Sequence, residues 1–269
     1  MYKQLISLKL IIFLAFIAGC SQSKNLISQQ EKPARDPFEF NQIKTDSLFN
    51  SNQIISLLEL QKSSLDNIII GIGYSRSDLI TTSSFGESNN ALAAINGGFF
   101  DMENGGSVTY FEINDTVISR TRPNELFNGA LIITNDHEIL IQPAESEQFY
   151  ELSKKETAVL VTGPLLLFNS EEFELPDNKF ANNRHPRTCL CLTEESLVFI
   201  TIDGRSEEAE GMSLIEAQEF LLGNGCVDAI NLDGGGSTTM WIKNRGIVNY
   251  PSDKTGERPV SNVLIINKK

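Results

Sequence analysis

GMSLIEAQEFLLGNGCVDAINLDGGGSTTMWI, residues 211–242, is the stretch on which the fold turns. Ser213 followed three residues later by Glu216 is the signature of a capping box. Leu214, Ala217, Phe220 and Leu221 follow at helical spacing, and Gly223 or Gly225 stops the helix. The chain then runs into an apolar strand that ends in Asn231 and Asp233, breaks at Gly234, Gly235 and Gly236, and resumes as Thr238 to Ile242. A tight hairpin accounts for the glycines. A site where a ligand approaches bare backbone accounts for them equally well, because glycine leaves the N–H groups uncovered.

Outward from that stretch the pattern is mostly strands. VTYFEINDTVISRT (108–121) reads as a hairpin turning at Asn114-Asp115, and GALIITNDHEILIQP (129–143) as another turning at Asn135-Asp136. RTCLCLTEESLVFITID (187–203) is a third hairpin. AVLVTGPLLLFNSEEFEL (158–175) is a strand interrupted by Gly163-Pro164, DNIIIGIGYS (66–75) is β-rich, and SNVLIINK (261–268) is a final strand. SLFNSNQIISLLELQKSS (47–64) suits a short helix or an edge strand. Many antiparallel strands and few helices predict an α+β fold: one domain, with a large, mainly antiparallel or mixed sheet and a helix packed on it.

The ends divide the chain further. Residues 1–19 carry Lys3 and Lys9, then the apolar run LIIFLAFIAG, which is the pattern of a secretory signal and too short to span a bilayer comfortably. Ala18-Gly19-Cys20 resembles the lipobox of bacterial lipoproteins, which implies cleavage before Cys20, lipidation of its thiol and a membrane-anchored protein of the bacterial envelope. An ordinary signal peptide with a cysteine is the alternative. Residues 20–40 are polar, contain two prolines and read as a tether, which leaves residues 41–269 as the domain.

The formal net charge is −13, and removing Lys3 and Lys9 takes it to −15. Such a surface repels polyanions and argues against a nucleic-acid partner. No obligate protein partner is predicted. Cys189 and Cys191 lie on one face of a strand and are poorly placed to bridge each other. Either could meet Cys226, but the default expectation is buried free thiols. With two histidines and no CxxC, zinc is not expected.

Four segments share a strand end, glycines and polar groups: INGGFFD (95–101), RHPRT (184–188), IDGRS (202–206) and NLDGGGST (231–238). Glycine allows backbone N–H groups to form anion-binding concavities, and arginine offers a planar fork to phosphate or carboxylate oxygens.

INGGFFD, TGPLLL, NRHPRT, TIDGR, GMSLIEAQEFLLGNGCVDAINLDGGGSTTM and ERPVSNVL occur in this order, and together they resemble the phosphodiester glycosidase family, some of whose bacterial members are described as exopolysaccharide-related. The resemblance covers roughly residues 65–267. It departs where MENGGSVTYFEIND follows NGGFFD, a place where the family has a glycine-containing strand, so substrate choice is in doubt there.

The resemblance implies hydrolysis of the glycosidic C–O bond of a sugar-1-phosphodiester in an envelope or scavenged glycan, with release of a free sugar, N-acetylglucosamine among the candidates. The diester's charge asks for cations or N–H donors, and the oxocarbenium-like anomeric centre asks for a carboxylate. Arg187 and Arg205 are the phosphate-binding candidates, with a surface ion pair as the bland alternative; Arg184 and His185 lie beside them but are expected to be structural. Asp233 and Asp203 are the catalytic carboxylate candidates, or else turn caps. Asn231, on the same strand face as Asp233, and Asn96, before Gly97 and Gly98, are candidates for sugar hydroxyls. Gly234, Gly235 and Gly236 offer backbone donors and Ser237 a hydroxyl. Glu112 is expected on the exposed side of its hairpin, and Phe99, Phe100 and Trp241 are expected in the core rather than on a sugar. Asp203 and Asp233 are hard oxygen ligands that would suit Ca²⁺ or Mg²⁺, but no EF-hand spacing accompanies them, so the metal is left open. The rival reading is a non-catalytic, lipid-anchored polysaccharide-binding or envelope-assembly protein on the same fold. A nuclease cutting P–O bonds is weaker, since it would want a histidine-rich or multi-metal site.

Overall fold

The computed structural model describes residues 37–122 and 124–269, so the signal, Cys20 and all but the last few residues of the tether lie outside the described residues. Among the described residues the chain forms three sheets in which every pairing is antiparallel. The first has seven strands in the order Glu39–Thr45, Gln53–Gln61, Ser196–Ile202, Arg187–Leu192, Asp228–Asn231, Leu165–Phe168 and Glu171–Glu172. The second runs Gly246–Ile247, Met240–Ile242, Ala93–Asn96, Asn262–Lys268 and Ile68–Tyr74. The third runs Thr116–Ser119, Phe111–Ile113, Glu156–Thr162, Gly129–Thr134 and Ile139–Pro143.

One apolar cluster joins all three sheets: Leu58, Leu190 and Phe199 from the first meet Ile95 and Leu264 from the second and Leu131 and Leu160 from the third. Because strand side chains alternate faces, each sheet has a second face to bury, and each covers it with a helix. Leu214, Ala217 and Leu221 of the capped Leu214–Gly223 helix pack on Cys189, Ile200 and Ala229. Phe85 of the Thr82–Ser88 helix packs with Trp241 and Val263. Tyr150 of the Glu147–Ser153 helix packs with Tyr110 and Val159. The α+β architecture expected from the sequence is what is found, as three sheets rather than one.

The three hairpins form where the turn residues place them. Asn114 and Asp115 both adopt positive φ, as a two-residue hairpin turn requires. Ser213 and Glu216 complete the capping box. Three expectations need correction. Gln53–Gln61 is an inner strand, flanked on both sides, and the edge belongs to Glu39–Thr45, which begins inside the stretch read as tether. Glu112 is buried rather than exposed, because the third sheet packs Tyr150 over that face and the Tyr110 hydroxyl donates to Glu112. Cys191 and Cys226 form a disulfide with Cα atoms 5.6 Å apart, while Cys189 is a buried free thiol. The helix C-terminus returns Cys226 to the strand that holds Cys191, a proximity that exists only in the folded chain.

That bond closes a sequence separation of 35 residues and ties the helix to the sheet. Cys191→Ala with Cys226→Ala is therefore expected to cost about 3 kcal/mol, and a reductant should lower the melting temperature of the unaltered protein but not of the double variant.

Candidate active site

The site assembles where strand ends from the first two sheets meet. Asp233 follows Asp228–Asn231, and its N–H donates to Gly97 O at 2.9 Å. Gly97 and Gly98 donate to Asn262 O at 3.0 Å and Asn262 Oδ1 at 2.7 Å. A Cβ on Gly97 would collide with Asn262, so the Asn-Gly-Gly stretch is glycine because another strand's asparagine fills that space. Pro186 binds the two acidic turns together. Gly235 N–H donates to Pro186 O at 2.9 Å, and Cβ atoms on Gly204 and Gly234 would come within 2.9 Å of Pro186 N and 2.7 Å of Pro186 O. The turns carrying Asp203-Gly204-Arg205 and Asp233-Gly234-Gly235 thus lie against the same residue.

Asp203 is buried at the end of Ser196–Ile202. Its Oδ1 accepts from Asn249 Nδ2 at 2.9 Å and from Tyr250 N–H at 3.0 Å, and its Oδ2 has no donor. Burial pushes its pKa up to about 6, against the opposing pull of the Asn249 and Tyr250 hydrogen bonds and the Lys44 charge. Asp233 is half-buried, and its Oδ1 accepts from Gly234 N–H at 3.0 Å. Desolvation raises it to about 6 as well, while Ser237, the charge of Arg258 and the Gly234 N–H pull it down.

The cations differ in what holds them. Arg205 is exposed, with its guanidinium 2.9–3.4 Å from where a Gly235 Cβ would stand and Nη1 3.4 Å from Ser252 Oγ. Arg258 lies against Gly236, and Nε and Nη2 form a fork on Asp253 at 2.8 and 3.0 Å, which uses two of its five N–H donors. Arg187 is fully buried: Nε donates to Met212 O at 2.9 Å, Nη2 to Phe180 O at 2.6 Å and Asn183 O at 3.0 Å, and Phe180 lies over its guanidinium at 4.8 Å. Burial lowers its pKa to about 10. Arg184 binds Glu216 and Glu210. His185 is held below its usual pKa by burial and by Arg187 and Arg205, which favours the neutral ring.

Asn96 and Asn231 are both fully buried. Asn96 Nδ2 donates to Asp233 O at 2.6 Å, and its Oδ1 accepts from Thr188 Oγ1 at 2.8 Å and Thr239 N–H at 3.1 Å. Asn231 Nδ2 donates to Gly163 O at 2.9 Å and Leu232 O at 2.6 Å. Their amide donors are engaged by backbone and so brace the turn, while Asn231 Oδ1 is buried without a donor. The structure therefore gathers Asp203, Asp233, Arg205, Gly234, Gly235, Gly236 and Ser237 around the two acidic turns, with Arg205 exposed, Asp233 and Gly235 half-buried and the others buried, and holds Asn96, Asn231 and Arg187 fully buried. Arg258, Asp253, Asn249 and Asn262 were missed in the sequence reading; ERPVSNVL contains two of them, but nothing local marks their role. Among the described residues no three of His, Cys, Asp and Glu gather as a metal site.

Two desolvated carboxyls have a consequence for stability. A carboxyl whose pKa is raised on folding binds its proton more tightly in the native state, so its contribution is fully present below about 4 and lost as pH rises through about 6. Asp203→Asn removes that loss: the variant is expected to melt higher than the parent at pH 7.5, by up to about 3 kcal/mol, with the difference shrinking toward pH 4.5. Thermal melts across that range check it, and a lower melting temperature at pH 7.5 would contradict the burial argument.

The family model described as phosphodiester glycosidase matches residues 89–267. The N-acetylglucosamine-1-phosphodiester alpha-N-acetylglucosaminidase of Bos taurus is 30% identical over 200 residues, and that of Homo sapiens 29% over 196; each alignment covers 65% of this chain. The chain spans just over a third of those relatives' length, at 36% and 37%. The catalytic domain of the zebrafish enzyme, solved in a state auto-inhibited by its pro-peptide, superposes with a TM-score of 0.69 at 21% identity, covering 88% of this chain and 86% of that one. A hypothetical protein from Synechocystis superposes at 0.64 and 14% identity, over 86% of this chain and 62% of that one. The fold is shared with both, and the chain belongs to the phosphodiester glycosidase family.

Proposed function

We propose that this chain is a hydrolase that cleaves the bond between the anomeric carbon and the phosphate oxygen of a sugar-1-phosphodiester. The observation that carries the reading is the placement of the Asp233 carboxyl beside a three-glycine turn, with Arg205 against Gly235 and Arg258 against Gly236. Two guanidinium groups suit one diester anion, and a carboxylate suits the positive charge that develops at C1. In the reaction the C1–O bond breaks with its electron pair going to the phosphate oxygen, water supplies the new C1 hydroxyl, and a phosphomonoester and a free sugar leave. A phosphomonoester is a good leaving group, so general-acid help counts for less here than in ordinary glycosidases. Asp203 is the second carboxyl and opens on the neighbouring cleft.

The sugar in this reading is N-acetylglucosamine, the sugar for which the animal relatives are named. The envelope setting rests on the lipobox-like Ala18-Gly19-Cys20 alone.

The test is hydrolysis of a methyl diester of N-acetylglucosamine 1-phosphate in ¹⁸O water, with and without EDTA. Label is expected in the sugar; label in the phosphate would mean P–O cleavage and overturn the reading. Asp233→Asn should lower kcat by about a hundredfold or more, and Arg205→Ala should weaken transition-state binding by about tenfold or more. Because Asp233 acts as a carboxylate, the rate should rise with pH through about 6.

A further inference from the structure

A cleft of 660 Å³ opens beside Arg205, lined by Lys44 and Thr45, the start of Gln53–Gln61, the turn from Asp203 to Ala209 and the loop from Tyr250 to Ser252. Asp233 is not part of its lining, so the cleft lies to one side of the carboxylate taken above as acting on C1. The volume falls within the range of small-molecule sites, roughly 300–1,000 Å³.

Its chemistry is selective. Gln53 and Asp203 both line it, both are nearly fully buried, and each has one acceptor oxygen without a donor: Gln53 Oε1 and Asp203 Oδ2. The orientation of Gln53 is fixed, because Nε2 donates to Ser51 Oγ and to Gly211 O, both at 2.8 Å, and a backbone carbonyl accepts only from a donor. Asp203 is fixed in the same way, since Asn249 and Tyr250 N–H both donate to Oδ1. Buried acceptors ask for donors. An acyl chain brings none, and an anion would face the Asp203 carboxylate. A hydroxyl-bearing ring brings several. Tyr250 adds an apolar face at the rim, where it is 60% exposed and carries Lys44 Nζ 5.6 Å from its centroid. A polar floor and an exposed aromatic ring match the two kinds of surface on a pyranose, its hydroxyls and its C–H face. Arg205 closes the edge toward Gly235, where a phosphate would sit.

We infer that this cleft is a subsite for a neutral, hydroxyl-bearing ring of the substrate, and that Gln53 and Tyr250, which lie outside every sequence motif, select it. The inference rests on the phosphodiester reading only in placing the phosphate at Arg205. The ring is either the sugar released from C1 or a sugar on the far side of the phosphate, and the two halves of the test separate them.

The full chain is titrated by ligand-observed saturation-transfer NMR with two probes, N-acetylglucosamine for the C1 side and glucose 6-phosphate for the far side. One of them is expected to bind, and Gln53→Leu and Tyr250→Ala should each weaken that binding by about tenfold. If Gln53→Leu fails to fold because Gly211 loses its donor, Tyr250→Ala decides alone, since that ring is exposed and its backbone N–H is retained. Failure of both probes to bind, or binding unchanged within about twofold in Tyr250→Ala, overturns the subsite. Sugar binding that depends on Tyr250 without any diester hydrolysis leaves the subsite standing and overturns the proposed reaction. Hydrolysis with no dependence on Gln53 or Tyr250 does the opposite.

Discussion

Two buried asparagines hold the stretch 238–240 between them, Asn96 at Thr239 and Asn249 at Thr238 and Met240, and the site depends on that grip. Asn96 accepts from Thr239 N–H and donates to Asp233 O. Asn249 accepts from Met240 N–H at 2.8 Å, donates to Thr238 O at 3.1 Å and donates to Asp203 Oδ1. Residues 238–240 leave the glycine turn to enter the second sheet, so each asparagine links one acidic turn to the same piece of backbone. Asparagine suits this duty because its amide donates and accepts at once without adding charge. A leucine of similar size would leave buried N–H and C=O groups unpaired, which is costly in a closed interior.

The clamp matters because the electrostatics around it oppose folding. Asp203 and Asp233 are desolvated, and neither is closely paired with a cation that would repay the burial. Arg258 is already forked on Asp253, and Arg205 reaches outward toward Ser252. Arg187, the most deeply buried cation here, satisfies backbone carbonyls. It ties Met212, just before the helix cap, to Phe180 and Asn183, and holds the strand start against which Pro186 receives both glycine turns. The hydrogen-bonded scaffold thus keeps carboxyls where they are least comfortable, an arrangement expected of a site selected for chemistry over stability.

Legibility in the sequence followed the range of the interaction. The capped helix at Ser213 and the turns at Asn114-Asp115 and Asn135-Asp136 depend on residues within a few positions of each other, and they were readable. The glycine segments were readable as places of close approach, because a missing side chain is itself the signal. Which group makes the approach was not readable: Asn262 faces Gly97 across 165 positions and Pro186 faces Gly234 across 48. The same limit hid Asn249, Arg258 and the Cys191–Cys226 pairing. Arg187 shows the limit differently. Its neighbours in the chain suit an anion site, yet its surroundings in space are carbonyls, and sequence cannot distinguish an arginine that meets a ligand from one that meets backbone.

Glycine at Gly204, Gly234 and Gly236 has one physical cause and two effects. Each lacks a side chain because a proline or an arginine–aspartate pair occupies that space. Close packing there draws the turns together, which sets the distance between the acidic residues. It also leaves the backbone of the three-glycine turn without side chains of its own to cover it, although Gly234 and Gly235 N–H already donate to Asp233 Oδ1 and Pro186 O. Structural economy and ligand access are therefore not separable at these positions. Alanine at Gly204 would push on Pro186 and so move Asp203 and Asp233 together, although it touches neither carboxyl. Substitutions in these turns act on the site through geometry, and the family's motif is best read as a packing solution that chemistry then uses.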